Sequence, residues 1–200
     1  MHHQLGSHEV MEAHEVLTNI IDGINNFMLY RPHVRDQQLG QILDKQVNHM
    51  EQEYQNMVSL LNQQRGISVE PYQSRINTSV KYGLRNPSPV TIHESAGQIS
   101  DRDVASGMLG LTKSSAILKT AAGLECADPQ LRRMIMQGAV SCSEMAYETF
   151  SFMNQRGMYQ VPTMPMRTES NFMGTYQTGN ITGQAMTTQA MNTQGQNYMT

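Results

Sequence analysis

Histidines and carboxylates are the residues with most to offer chemically, and their distribution narrows what they can do. All seven histidines lie at or before His93. A dinuclear carboxylate centre among helices needs a glutamate from each of two helices and a Glu-x-x-His pair from each of two others. The nearest approach to such a pair is Gln46-Val47-Asn48-His49, where an uncharged amide stands at the glutamate position and makes a poor bridge between two divalent ions. Residues 104–124 contain no Asp or Glu, and residues 129–156 contain no histidine. Two of the four long helices outlined below therefore lack their share of ligands. A smaller site remains open to His14, Glu15, His49, Glu53 and Glu144, since imidazole and carboxylate together suit zinc or manganese. The favoured reading makes these residues polar positions hydrogen-bonded across a core, fixing helix register. Were Glu53 and Glu144 to face one another, their like charges would raise the pKa of at least one. No catalytic residue, metal or cofactor is expected.

Nucleophiles also lack partners. Ser114-Ser115 and Ser141-Cys142-Ser143 lie in segments without histidine, and the chain has no G-x-S-x-G elbow, P-loop or glycine-rich dinucleotide loop. The two cysteines are too few for a disulfide scaffold. Cys142 falls on an apolar stripe and reads as a small core residue, whereas Cys126 falls at a turn and reads as a spare thiol.

Helical periodicity supplies the frame. Capping signals and apolar spacing predict helices over 7–31, 36–65, 101–127 and 129–156. Their inner stripes are Val10, His14, Leu17, Ile21, Ile24 and Met28 in the first, and Leu39, Leu43, Gln46, Met50, Glu53, Met57 and Leu60 in the second. In the third they are Val104, Met108, Leu111, Ser115, Leu118 and Ala122, with Lys119 outward. In the fourth they are Leu131, Ile135, Gly138, Cys142, Met145, Thr149 and Phe152, and Gly157 ends the run. Short links make 7–66 and 100–157 antiparallel hairpins. Residues 67–99, with Pro71, Pro87 and Pro89 and no sustained period, form the crossover. The ends Asn62-Gln63-Gln64-Arg65-Gly66 and Asn154-Gln155-Arg156-Gly157 hint at an internal repeat that would equate Gln46 and Glu53 with Gln137 and Glu144. Residues 158–200, dominated by Met, Thr, Gln, Asn and Gly, read as a low-complexity, disordered tail.

Composition excludes several partners. With 14 basic and 17 acidic residues the chain has no basic footprint for nucleic acid, and no Lys/Arg cluster suggests an anionic membrane. The first thirty residues lack a signal-type apolar run, so synthesis in the cytoplasm is expected.

The run LTKSSAILKTAAGLECADPQLRRMIMQGAVSCSEMAYETFSFMNQRGMYQVP resembles the helical hairpin of the spore coat protein F family. The resemblance rests on the Cys126-Ala127-Asp128-Pro129-Gln130-Leu131-Arg132 turn, the two long helices around it and the Gln155-Arg156-Gly157-Met158-Tyr159 exit, and it spans 105–162. It implies an all-α, ferritin-like four-helix bundle of two antiparallel hairpins joined by a long crossover. It also implies a structural, non-enzymatic component of the endospore coat that contacts itself or other coat proteins. The alternative is a small metal-dependent oxidase or catalase-type enzyme retaining a reduced site.

Overall fold

The computed structural model describes residues 5–62, 67, 70–87 and 89–176. Among these it is all-helical, with α1 (Ser7–Tyr30), α2 (Gln37–Leu61), α3 (Asp101–Glu125), α4 (Pro129–Gln155) and a short α5 (Met166–Met173). No strand forms among the described residues; Tyr82 and Val161 make an isolated bridge.

Local chemistry explains the helix ends. Asp36 accepts from the backbone N–H groups of Gln38 and Leu39, and Asp128 does the same for Gln130 and Leu131. Ser100 and Asp103 form the expected capping box of α3. At α1 the cap is Gly6, not Ser7, and the Glu9 carboxylate accepts from the Gly6 N–H at 2.6 Å. Gly157 takes φ +73°, and the Met158 N–H returns to the Met153 carbonyl at 2.9 Å, a Schellman closure that needs this glycine. α2 ends at Leu61 with Asn62 as its cap, before the expected Arg65, and Gly66 lies outside the described residues.

All four long helices contribute to one core. Arg31 reaches Asp44 and Gly23 meets Met50, so α1 and α2 run antiparallel. Tyr30 packs on Gly107 and Gly23 on Leu111, which makes α1 and α3 antiparallel as well. Lys119 meets Cys142 and Gly123 meets Met136, giving the same sense to α3 and α4, whose packing is the most extensive of any pair. Gln46 meets Thr149 and Asp36 meets Arg156, so α2 opposes α4. α2 and α3 are thus parallel, and the chain between them must travel the length of the core. It does so along α4: Tyr72 is held at Ser141, Arg75 at Glu148, Lys81 at Asn154 and Gly83 at Val161.

Two expected stripes need correction. On α1 the buried residues are Glu9, Ala13, Val16, Ile20, Gly23 and Phe27, one position before the predicted set, while Val10, Ile21 and Met28 are exposed. On α3 the buried positions include Thr112, Lys119 and Gly123, whereas Leu111 and Leu118 are only half-buried. Lys119, expected to point outward, is 1 % exposed. The repeat also fails at its key positions, since Glu53 is buried but its counterpart Glu144 is exposed. The α2 and α4 stripes match, apart from a half-buried Leu60.

The compact unit containing these helices extends to Thr163, and the unit after it begins at Met164. Within the latter, residues 166–173 form α5 where the sequence pattern predicted no element. The tail from residue 177 lies outside the described residues.

Candidate functional site

Two polar clusters interrupt the apolar core. In the first, Lys119 of α3 crosses the core to Glu53 of α2, and its Nζ lies 2.7 Å from both carboxylate oxygens. The same Nζ is 3.3 Å from Cys142 Sγ on α4. Burial works against the Lys119 ammonium, but Glu53 and then Cys142 outweigh it, so its pKa stands above that of an ordinary lysine. Burial pushes the Cys142 thiol up, leaving it a protonated core residue with little nucleophilic character.

The geometry of α4 makes room for this pair. A Cβ at Gly138 would overlap Glu53 Oε1 and press on Lys119 Cδ. Helix propensity favours alanine over glycine by about 1 kcal/mol, yet Glu53 is held by two short bonds to Lys119 that it would have to strain or give up to move aside. Gly138→Ala should therefore destabilise the protein by about 1–3 kcal/mol in a denaturant titration. Gly110→Ala, on exposed α3 where nothing lies within 4 Å, should instead stabilise it by about 0.5–1 kcal/mol. Equal effects at the two glycines would contradict the packing described.

The second cluster is centred on Glu148 of α4. Its carboxylate accepts from the Tyr72 hydroxyl, from the Arg75 N–H at 2.7 Å and from Lys45 Nζ at 3.1 Å. Lys45 also donates to the Gln73 carbonyl and lies over the Tyr72 ring, which makes a T-shaped contact with His49. Burial, and then the bond to Glu148, drives the Tyr72 phenol far above its ordinary pKa. Ser141 Oγ is occupied as an acceptor for the Tyr72 N–H. The crossover segment 71–75 is thereby clamped over α2 and α4. A pocket of about 790 Å³, partly open to solvent, lies against it, with Glu53, His49 and Gly138 among its lining residues.

The sequence candidates fare differently. His14, Glu15 and Glu144 are exposed, on α1 and α4. Glu53 does not face Glu144; its partner is Lys119. His49 and Glu53, one turn apart on α2, are the two that come together, and burial lowers the His49 pKa. Among the described residues no three His, Cys, Asp or Glu side chains gather in a metal-holding arrangement. Lys119, Glu148 and Tyr72 were missed. A lysine inside an apolar spacing and a glutamate on the buried side of α4 were the available signals, whereas Tyr72 sits in a segment with no period to read.

Cys126, at the turn, is a free thiol and a buried one; its Sγ lies 3.3 Å from the Ala122 carbonyl oxygen. Burial and then nearby Glu9 raise its pKa.

Residues 100–162, which contribute Lys119, Gly138, Cys142 and Glu148 to these clusters, match the family model of the Coat F domain. The match covers about a third of the chain. It is 29% identical over 161 residues to the spore coat protein F-like protein YhcQ of Bacillus subtilis (strain 168), an alignment covering 80% of this chain and 74% of that relative. No solved structure matches it. The Coat F segment thus supplies one hairpin of the core, while Glu53, Lys45 and Tyr72 come from the chain before it. No helix among the described residues is long and apolar enough to cross a membrane.

Proposed function

We propose that this protein is a structural component of the bacterial endospore coat, working through self-assembly or contact with other coat proteins and not through catalysis. The observation that carries the reading is the Coat F match over 100–162, reinforced by the relative named for the spore coat. The arrangement of the helices is compatible with a ferritin-like four-helix bundle, two antiparallel hairpins joined by the 67–99 crossover, with a low-complexity tail from residue 158. The chemistry of the clusters supports a structural role as well. Lys119 is committed to Glu53, Glu148 to three donors, and the Cys142 thiol is suppressed.

The test is location in a sporulating host. A fluorescent fusion should form a ring around the forespore, and the native chain should appear in the coat extract of purified spores. A signal confined to the mother-cell or vegetative cytoplasm would overturn the proposal. Stoichiometric iron or manganese in untagged protein, coupled to peroxide or oxygen turnover, would favour the oxidase or catalase alternative.

A further inference from the structure

α1 carries two apolar stripes, and the weaker one faces the core. Glu9, Ala13, Val16, Ile20, Gly23 and Phe27 are buried. One residue on, Val10, His14, Leu17, Ile21, Ile24 and Met28 repeat the same steps of four and three with no formal charge and, unlike the first set, no glycine or alanine. Leu17 and Ile24 are half-buried at the edge of this second stripe, while Val10 and Met28 each expose more than half of their surface. Beside them Met11 and Leu29 do the same.

Orientation shows which side this face occupies. Arg31 reaches Asp44 on the α2 flank, and Tyr30 meets Gly107 on the α3 flank. At 100° per residue, the acids Glu12, Glu15 and Asp22 fall on the α3 side, Glu15 and Asp22 exposed there, whereas the outward surface on the α2 side, where the second stripe runs, holds no Asp, Glu, Lys or Arg. Isolated surface apolar residues need no explanation, but an uncharged strip along a whole helix marks an interface.

We infer that the outer face of α1 docks on the same face of a second copy of this chain. The stripe is self-complementary, because steps of 4-3-4-3-4 read the same from either end. An antiparallel pairing about a two-fold axis near Asn19 sets Val10 against Met28 of the second copy and Leu17 against Ile21, in the isologous manner of closed dimers. The helix has 24 residues and so is about 36 Å long. Two such faces in contact bury on the order of 1,000 Å², the lower bound for a specific interface. Heptad spacing on both strands gives the knobs-into-holes fit that lets so narrow a face pack well.

Self-docking of this kind is one form of the assembly proposed above and rests on that reading, but the two can fail separately. Sedimentation of the full chain should show a dimer. Val10→Lys alone or Met28→Glu alone should weaken it by at least about tenfold, and the two combined should restore it, because the new charges then face each other across the two-fold. Ile117→Glu, at an exposed position on α3, should leave the dimer intact, and circular dichroism should show all variants equally helical. A monomeric wild type, a dimer indifferent to both single substitutions, no recovery in the combined variant, or equal loss in Ile117→Glu would overturn the inference. So would a wild type that stays monomeric alone and pairs only with a different coat protein. A monomer that still reaches the spore coat overturns the docking alone. A dimer that does not reach the coat upholds it and overturns the coat assignment.

Discussion

Replacing Lys119 with alanine is expected to lower stability by about 3–5 kcal/mol, the effect of stranding a buried carboxylate without its partner. Glu53 is only 6 % exposed and receives both of its short bonds from Lys119, so it loses both bonds and the opposing charge at once. For a helical unit of this size the loss corresponds to a melting temperature roughly 6–20 °C lower. Surface pairs such as Arg31–Asp44 and Arg156–Asp36 are far more exposed, and breaking either should change stability by less than about 1 kcal/mol. The decisive comparison is the double variant Glu53→Leu with Lys119→Met. Removing both charges abolishes the desolvation penalty together with the attraction, so the double variant should match or exceed the wild type in thermal unfolding. A double variant as unstable as Lys119→Ala would show that the pair attracts by more than its burial costs. A Lys119→Ala change of under about 0.5 kcal/mol would show that the side chain is solvated in solution.

Lys119 also illustrates where the sequence could be read and where it misled. Helix limits were legible because capping residues act locally: Asp36, Ser100, Asp128-Pro129 and Gly157 all do what their chemistry dictates at the positions expected. The α2 and α4 stripes were legible for a similar reason, since each helix has one apolar face to bury. α1 has two, and the more apolar one is not in the core, so hydropathy alone chose the wrong register by one residue. On α3 the spacing admits either Leu118 or Lys119 as the inward residue. Hydropathy prefers leucine, but the choice is made by Glu53, which lies 66 residues away and across the core. A long-range partner leaves no trace in local periodicity. The same applies to Glu144 and Glu148, a single turn apart on α4. Only the second meets the crossover, and nothing in the pattern of residues 67–99 announces that Tyr72 will be buried there.

That clamp gives the other large effect. Glu148→Leu is expected to release the crossover locally, unlike Lys119→Ala, which weakens the whole core. The carboxylate is 1 % exposed and holds three donors from the preceding chain, two of them within residues 72–75. Leucine fills similar space but accepts nothing, leaving the buried Tyr72 hydroxyl and the Arg75 N–H without partners at about 1–3 kcal/mol each. Lys45 loses less, because its ammonium keeps the Gln73 carbonyl. The segment can escape these penalties by lifting away from α4, since neighbouring crossover residues have few apolar anchors and Pro71, Gln73 and Arg75 are already exposed. Partial opening of a weakly packed strap requires less free energy than unfolding the helices beneath it. Amide exchange at Tyr72 and Arg75 should therefore accelerate at least tenfold, equivalent to about 1.4 kcal/mol of lost protection, while the central amides of α1 and α3 keep more of theirs. Tyr72→Phe, which removes the hydroxyl and keeps the ring between His49 and Lys45, should give a smaller change in the same segment. Uniform acceleration across all four helices in Glu148→Leu would show instead that this carboxylate supports the core as a whole and that the crossover is held by other contacts.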